Sequence, residues 1–135
     1  MIGLLPFLGF FGGVNGHLTC KMAEPPNGEI VANIDSGGAL KIESSSLGSA
    51  KVKGAFRPEY DVRDVVVITD ASPMERFKWS SESERITTVL ELSYFQKGAS
   101  SVLIYEDDHR GRHHYMRQLA TGTCTVTLNS AGGAS

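Results

Sequence analysis

At 135 residues the chain has room for one domain and too little left over for a second hydrophobic core. Its composition, 41% apolar and 21% charged, is typical of a globular protein and not of a disordered chain. The net charge of −2, with 13 basic residues spread among 15 acidic ones, excludes a basic surface that tracks phosphates, so nucleic acid is not a predicted partner.

The first sixteen residues, MIGLLPFLGFFGGVNG, form an apolar stretch without a single charge. The stretch is too short to span a bilayer, and it ends in small residues: Val14 and Gly16 stand three and one positions before a cleavage at His17. We therefore predict a signal peptide over 1–16, although no Lys or Arg precedes the run. The mature chain would be exported to the periplasm or the extracellular space, with no transmembrane span. The alternative is an N-terminal strand or helix packed on the core.

The chain has two cysteines, Cys20 near the expected mature start and Cys124 near the end. In an oxidising compartment such a pair forms a disulfide, which here would close almost the whole domain. Two unpaired buried thiols are the alternative. A lipid anchor on Cys20 would need an aliphatic residue at position 17 and a small residue at position 19. His17 and Thr19 occupy these positions, so a lipid anchor is disfavoured.

Short runs of alternating apolar and polar residues, separated by turn residues, predict a series of β-strands along the chain. In chain order the predicted strands are 17–22, 29–34, 39–42, 52–56, 65–69, 76–80, 86–95, 101–107 and 113–128. The predicted fold is all-β, a small antiparallel β-sandwich or barrel built from hairpins, with one domain over 17–129 and a flexible tail over 130–135. Ser72-Pro73-Met74-Glu75 resembles a helix start, so at most one short helical turn is expected near 73–77.

The C-terminal half predicts a specific strand register. A two-residue turn at 97–98, with Gly supplying a positive φ, pairs Leu90 with Tyr105 and Leu92 with Leu103 on one apolar face. The opposite face is mixed, as expected for a half-buried antiparallel pair.

A second tight turn, at 110–111, pairs Tyr105 with Met116 on the same apolar face. The alternative three-residue loop, 110–112, would turn Arg117 inward, and burying that charge unpaired is costly. The inward positions that follow in the preferred register are Gln118, Ala120, Gly122, Cys124, Val126 and Leu128.

The densest polar group of the chain runs from Asp107 to His114. In the preferred register Asp108 faces His113, which predicts a solvated hairpin tip with local charge pairing and no cofactor. Because His and Asp are good zinc and copper ligands, the alternative is a metal-binding protein in which at least three histidines converge. The candidate ligands are His17, His109, His113 and His114.

Signatures of catalysis are missing from the sequence: it has no GxSxG, SxxK, HExxH, GxGxxG or phosphate-binding glycine loop. An enzyme is therefore the less favoured class. A hydrolase remains an alternative, for which Ser80, Ser81 and Ser83 are the nearest candidate nucleophiles.

The favoured function is non-enzymatic binding of a protein or small ligand in the cell envelope or outside the cell. Aromatic and Arg side chains are typical interface anchors. The candidate binding residues are Arg76, Trp79, Arg110, Arg112 and Tyr115, although Trp79 is also a good core residue. In size, and in having a Cys near each end of a run of hairpins, the chain is similar in general architecture to the small envelope inhibitors that bacteria direct at lysozymes. It matches no inhibitor motif residue by residue, so inhibitor-like binding is an expectation about class alone.

Overall fold

The structure is a computed structural model that describes residues 14–47, 52–59, 65–66, 74–95 and 98–130. These residues form β-strands and connecting turns. The strands of the described part are β1 (Val14–Glu24), β2 (Glu29–Ile34), β3 (Leu40–Ser45), β4 (Gly54–Pro58), β5 (Val65–Val66), β6 (Met74–Ser83), β7 (Ile86–Phe95), β8 (Ser100–Asp108) and β9 (Tyr115–Ser130).

The strands make one antiparallel sheet in the order β4-β3-β2-β1-β9-β8-β7-β6-β5. A further pairing between β4 and β6 joins the two ends of this series, so that eight strands of the described part close into a barrel. The short strand β5 pairs with the first residues of β6. The β1–β9 pairing joins the first and last strands, and the β4–β6 pairing bypasses β5 and closes the barrel. Every other pairing joins strands that are consecutive in the chain. The predicted all-β fold is confirmed, in its barrel form.

Positions 74–77, where the sequence allows one helical turn, belong to strand β6. Ser72 and Pro73, the start of that turn, lie outside the described residues. The described ranges contain no helix with the length and apolar character needed to cross a membrane.

The barrel interior is filled by the alternating apolar side chains of its strands. In β2, for example, Ile30, Ala32 and Ile34 are buried, whereas Glu29, the first residue of the strand, is exposed. The interior of an eight-stranded barrel is wide enough for side chains to fill or for one small ligand. The buried residues of this core are Leu18, Cys20, Met22, Ile30, Ala32, Ile34, Leu40, Val52, Phe56, Phe77, Trp79, Leu90, Leu92, Val102, Ile104, Ala120 and Cys124.

Trp79 is part of this core and is 0% exposed. Its ring stacks on that of Phe77 with centroids 5.9 Å apart, and its Nε1 donates a 2.8 Å hydrogen bond to the carbonyl oxygen of Gly38. The indole N–H is the one polar atom of the side chain, so this bond lets the whole ring be buried. Trp79 is therefore a core residue, which corrects its inclusion among the candidate surface anchors.

The β7–β8 hairpin differs from the predicted register by one residue. Leu90 pairs with Ile104 and Leu92 with Val102, where Tyr105 and Leu103 were expected. A slip of one residue turns every side chain of a strand to its other face. Val102 and Ile104 therefore point into the core, and Leu103 and Tyr105 point outward.

The β8–β9 register also differs from the prediction, because the connection is a six-residue loop, 109–114, and not a two-residue turn. Tyr105 pairs with Gln118, and the register shifts by one residue between Ile104 and Tyr105, where Leu119 is the extra residue on β9. Beyond this bulge, Ala120 and Cys124 are buried as predicted. Before it, Met116 is exposed, which corrects its predicted place in the core.

Cys20 and Cys124 form the predicted disulfide, with an S–S distance of 2.01 Å. The two residues are direct partners in the β1–β9 pairing and both are buried in the barrel. The bond thus joins the first and last strands of the barrel across 104 residues of chain. A disulfide in this position suggests a non-reducing compartment.

The chain before Val14 and after Ser130, which includes most of the expected signal peptide and tail, lies outside the described residues. Strand β1 begins three residues before the expected cleavage at His17, and Val14 pairs with Ser130 and Gly16 with Leu128. Cleavage at His17 would therefore leave β1 with residues 17–24.

Candidate functional site at the β8–β9 hairpin

The end of the β8–β9 hairpin is the most exposed part of the described chain. Every residue from 110 to 118 is exposed. The pairing of β9 with β1 extends only as far as Thr121. The residues from Tyr115 to Ala120, apart from the bulged Leu119, therefore pair with β8 on one side and with no described strand on the other. The hairpin end therefore presents an unpaired backbone edge as well as its side chains.

Two large apolar side chains lie on this edge. Tyr115 is 66% exposed and Met116 is 65% exposed, and they are the exposed large apolar residues of the described part. Because neighbouring residues of a strand point to opposite faces, each face of the hairpin end carries one of them. Tyr and Met are both enriched in the centres of protein interfaces.

Three arginines, Arg110, Arg112 and Arg117, are exposed in the same segment of the chain. The Arg110 guanidinium donates hydrogen bonds of 3.0 and 2.8 Å to the two carboxylate oxygens of Asp108, and this pairing raises the pKa of Arg110 further above its ordinary value. Arg117 lies 2.8 Å from the carboxylate of Glu106, whose side chain is buried in the barrel. Arg112 is exposed and makes no ion pair with another described residue.

The residues predicted as a binding surface therefore separate into two groups. Arg110, Arg112 and Tyr115 lie together on the exposed hairpin end. Arg76 is half-buried on β6, opposite Ser93, and Trp79 is in the core. Met116 is a surface residue that the sequence placed in the core, and the cause is the bulge at Leu119.

Two histidines and one aspartate converge at the base of the hairpin loop. Nδ1 of His109 lies 3.4 Å from Nε2 of His114, and the ring centroids are 4.3 Å apart. The Asp107 carboxylate lies 3.5 Å from His109 Nε2 and 3.8 Å from His114 Nδ1. One donor atom from each of the three residues can be chosen so that all lie within 4.8 Å of one another. Two imidazoles and a carboxylate are a donor set that can hold a divalent metal ion.

Neighbouring contacts hold this cluster in place. The backbone N–H of His109 donates a 2.9 Å hydrogen bond to the carbonyl oxygen of Arg85, in the two-residue turn between β6 and β7. Asp108 Oδ1 accepts a 3.0 Å hydrogen bond from the backbone N–H of Arg110, which fixes the start of the loop. Asp107 itself lies on β8, paired with Met116.

The other two histidines proposed as metal ligands are not part of this cluster. His113 is exposed on the same loop. His17 lies on the outer face of β1, where its Nδ1 is 2.7 Å from the side-chain oxygen of Asn33. The structure thus brings together two of the four predicted imidazoles and adds Asp107. Asp107 and His109 are two residues apart in the sequence, so both lie on one face of an extended chain. This spacing is the sequence signal for the pair.

The serines named as candidate nucleophiles lie on β6. Ser80 is buried and donates a 2.5 Å hydrogen bond to the Glu59 carboxylate. Within the described ranges no hydrogen bond joins Ser80, Ser81 or Ser83 to a histidine.

A separate groove lies on the outside of β1 and β9, near the β7–β8 connection. It has a volume of about 430 Å³, and its lining includes the paired threonines Thr19 and Thr125 together with Lys21 and Thr123. Tyr94 and Phe95 form part of its wall. The groove is polar and open, and it lies away from the hairpin loop.

No protein-family model matches the chain, and no curated protein or solved structure is significantly similar to it.

Proposed function

We propose that this protein is an exported, non-enzymatic binding module that engages a protein or small ligand in the cell envelope or outside the cell. The contact is made by the hairpin end, defined as residues 109–118. The observation that carries this proposal is the exposure of Tyr115 and Met116, two large apolar side chains in the same exposed segment as Arg110 and Arg112.

The filled interior of the barrel supports contact through the outside. Trp79, Phe56 and Leu90 are completely buried there, and their side chains occupy the space in which other eight-stranded barrels hold a small ligand. A partner then has the outer face, the rim and the loops to contact. Of these, the hairpin end combines apolar area, guanidinium groups and an unpaired strand edge.

The unpaired edge favours a protein over a small ligand. Backbone N–H and C=O groups of Tyr115–Ala120 that point away from β8 can pair with an extended segment of another chain, which would add a strand beside β9. The alternating Tyr115 and Met116 side chains would then select the partner by its apolar residues. An inhibitor that covers the active site of an envelope enzyme would use a contact of this kind.

Export is supported by the apolar, uncharged N-terminal segment and by the disulfide between Cys20 and Cys124. In the cells that produce it, the protein is expected in the envelope or the medium, with His17 at its N-terminus. Recovery of the uncleaved chain from the cytoplasm, with both thiols reduced, would contradict this part of the proposal. N-terminal sequencing and non-reducing mass measurement distinguish the two results.

The binding proposal is tested by a comparison of three immobilised proteins. They are the wild type, the hairpin variant Tyr115→Ser/Met116→Ser and the control variant Thr125→Ser/Thr127→Ser, which changes exposed positions on the other half of β9. A partner from an envelope or extracellular extract should be retained by the wild type and the control and lost from the hairpin variant. Equal retention by all three would place the contact elsewhere on the barrel.

A further inference from the structure

We propose that Asp107, His109 and His114 form a binding site for a divalent transition metal ion of the zinc and copper class. The site would exist whether or not the hairpin end also binds a partner. Its ligands differ from the set expected from the sequence: His17 and His113 are absent, and the carboxylate of Asp107 is included.

The separations between the three side chains fit a metal better than they fit hydrogen bonding. The two His–Asp contacts of 3.5 and 3.8 Å exceed the usual length of a hydrogen bond. In a tetrahedral site with metal–ligand bonds of about 2.0–2.1 Å, neighbouring ligand atoms are about 3.3 Å apart. Donor atoms that already lie within 4.8 Å of one another need only small side-chain rotations to reach that spacing.

Asp107 provides a second, independent observation. Its Oδ1 atom is buried and has no hydrogen-bond partner among the described residues. Leaving a carboxylate oxygen buried without a partner is costly, and a cation held at this position would remove that cost. The neighbouring carboxylate of Asp108 is engaged by Arg110, so it does not compete for the ion.

The donor set determines the class of metal. Two imidazole nitrogens and one carboxylate oxygen suit zinc and copper, whereas calcium and magnesium prefer sites made of oxygen ligands. Three protein ligands leave at least one coordination position open. The side chain of His114 is 64% exposed, so an ion can reach the site from solvent.

A bound ion would also organise the hairpin end. His114 immediately precedes Tyr115, and His109 is fixed to the β6–β7 turn through its backbone bond to Arg85. Joining His114 to His109 and Asp107 would close the six-residue loop at its base. Metal binding and ordering of the loop are therefore expected to be coupled.

Calorimetric titration of the full-length, disulfide-bonded protein with Zn²⁺, and separately with Cu²⁺, tests the site. The wild type should bind one ion. His109→Ala, His114→Ala and Asp107→Asn should each weaken binding by about tenfold or more, because each removes a direct ligand.

His113→Ala and His17→Ala are the matched controls and should leave the affinity within about twofold of the wild type. His114 is exposed, so its substitution should not perturb folding.

Imidazole NMR resonances give a second readout that does not depend on the variants. On addition of Zn²⁺ the resonances of His109 and His114 should shift together, and those of His17 and His113 should stay in place. The proposal is overturned if the wild type binds no more tightly than His109→Ala/His114→Ala. It is also overturned if His113→Ala weakens binding as much as His114→Ala does.

Discussion

The indole nitrogen of Trp79 donates a 2.8 Å hydrogen bond to the carbonyl oxygen of Gly38, from β6 to the turn between β2 and β3. These two parts of the chain are 41 residues apart, and the bond joins β6 to the turn that leads into β3, with only β4 between the two strands in the barrel. Gly38 has a φ of 91°, a left-handed conformation that glycine adopts without steric cost. The turn and the indole are therefore held in one arrangement.

Replacing Trp79 by Phe should lower the free energy of unfolding by about 1–3 kcal/mol, because the buried carbonyl of Gly38 loses its donor. Denaturation in urea measures this loss. Trp79 is the single tryptophan of the chain, so acrylamide quenching of the native fluorescence reports its burial directly. Efficient quenching in the native state would contradict the buried position.

Gly122 should tolerate no larger residue, because β1 and β9 approach closely there. A Cβ atom at this position would lie 2.2 Å from the carbonyl oxygen of Lys21 and 2.6 Å from Cα of Met22, both backbone atoms. Gly122→Ala should therefore destabilise the fold by about 1–3 kcal/mol. Gly111→Ala is the control, since a Cβ there meets nothing within 4 Å, and it should change stability by less than about 0.5 kcal/mol. Equal effects in chemical denaturation would argue against the β1–β9 pairing described.

Tyr105 should make stability fall in alkaline solution. Burial, followed by the hydrogen bond to Glu91, raises the pKa of Tyr105 from 10.0 to about 12. Below about pH 10 the phenol is neutral in the folded and unfolded states alike. As pH rises from 10 to 12 the unfolded chain ionises first, so the contribution to stability is lost over that interval.

Tyr105→Phe should remove this part of the pH dependence, whereas Tyr115→Phe, which changes an exposed ring, should keep it. Stability measured in urea at several alkaline pH values, with tyrosinate absorbance as a second readout, checks both variants. Identical alkaline slopes for the wild type and Tyr105→Phe would contradict the raised pKa.

The disulfide should contribute strongly to stability because it joins the first and last strands of the barrel. Loop-closure entropy predicts a loss of about 4–5 kcal/mol for Cys20→Ala/Cys124→Ala, given the separation of 104 residues. Guanidinium denaturation of the double variant and of the oxidised wild type measures the difference. A reductant should destabilise the wild type and leave the double variant unchanged. Equal stability of the oxidised wild type and the double variant would show that closure does not depend on the bond.

The sequence predicts the strands far better than their pairing. Alternation located most of the nine strands in the described part of the chain within a few residues, because each has a clear apolar face or a bounding turn. The run Val102-Leu103-Ile104-Tyr105, however, is apolar on both faces. Nothing in it shows which two residues belong in the core, and the one-residue error in the β7–β8 register follows from that.

The candidate site depends on the length of the β8–β9 loop and on the β8–β9 register, which sequence patterns determine poorly. A tight turn at 110–111 and a six-residue loop at 109–114 fit the same residues, and the bulge at Leu119 has no Gly or Pro to mark it. The loop and bulge together expose Met116 and bring His109 to His114. Local alternation cannot predict either result, since both depend on where β9 meets β8.

Site-specific cross-linking tests most directly whether the hairpin end is the binding surface. A photoreactive phenylalanine at position 115 preserves the aromatic ring, and the same residue at position 125, on the other half of β9, is the control. Irradiation in the envelope or extracellular fraction should join a partner to position 115 and not to position 125. A partner that is captured from position 125 alone, or equally from both positions, would contradict the account.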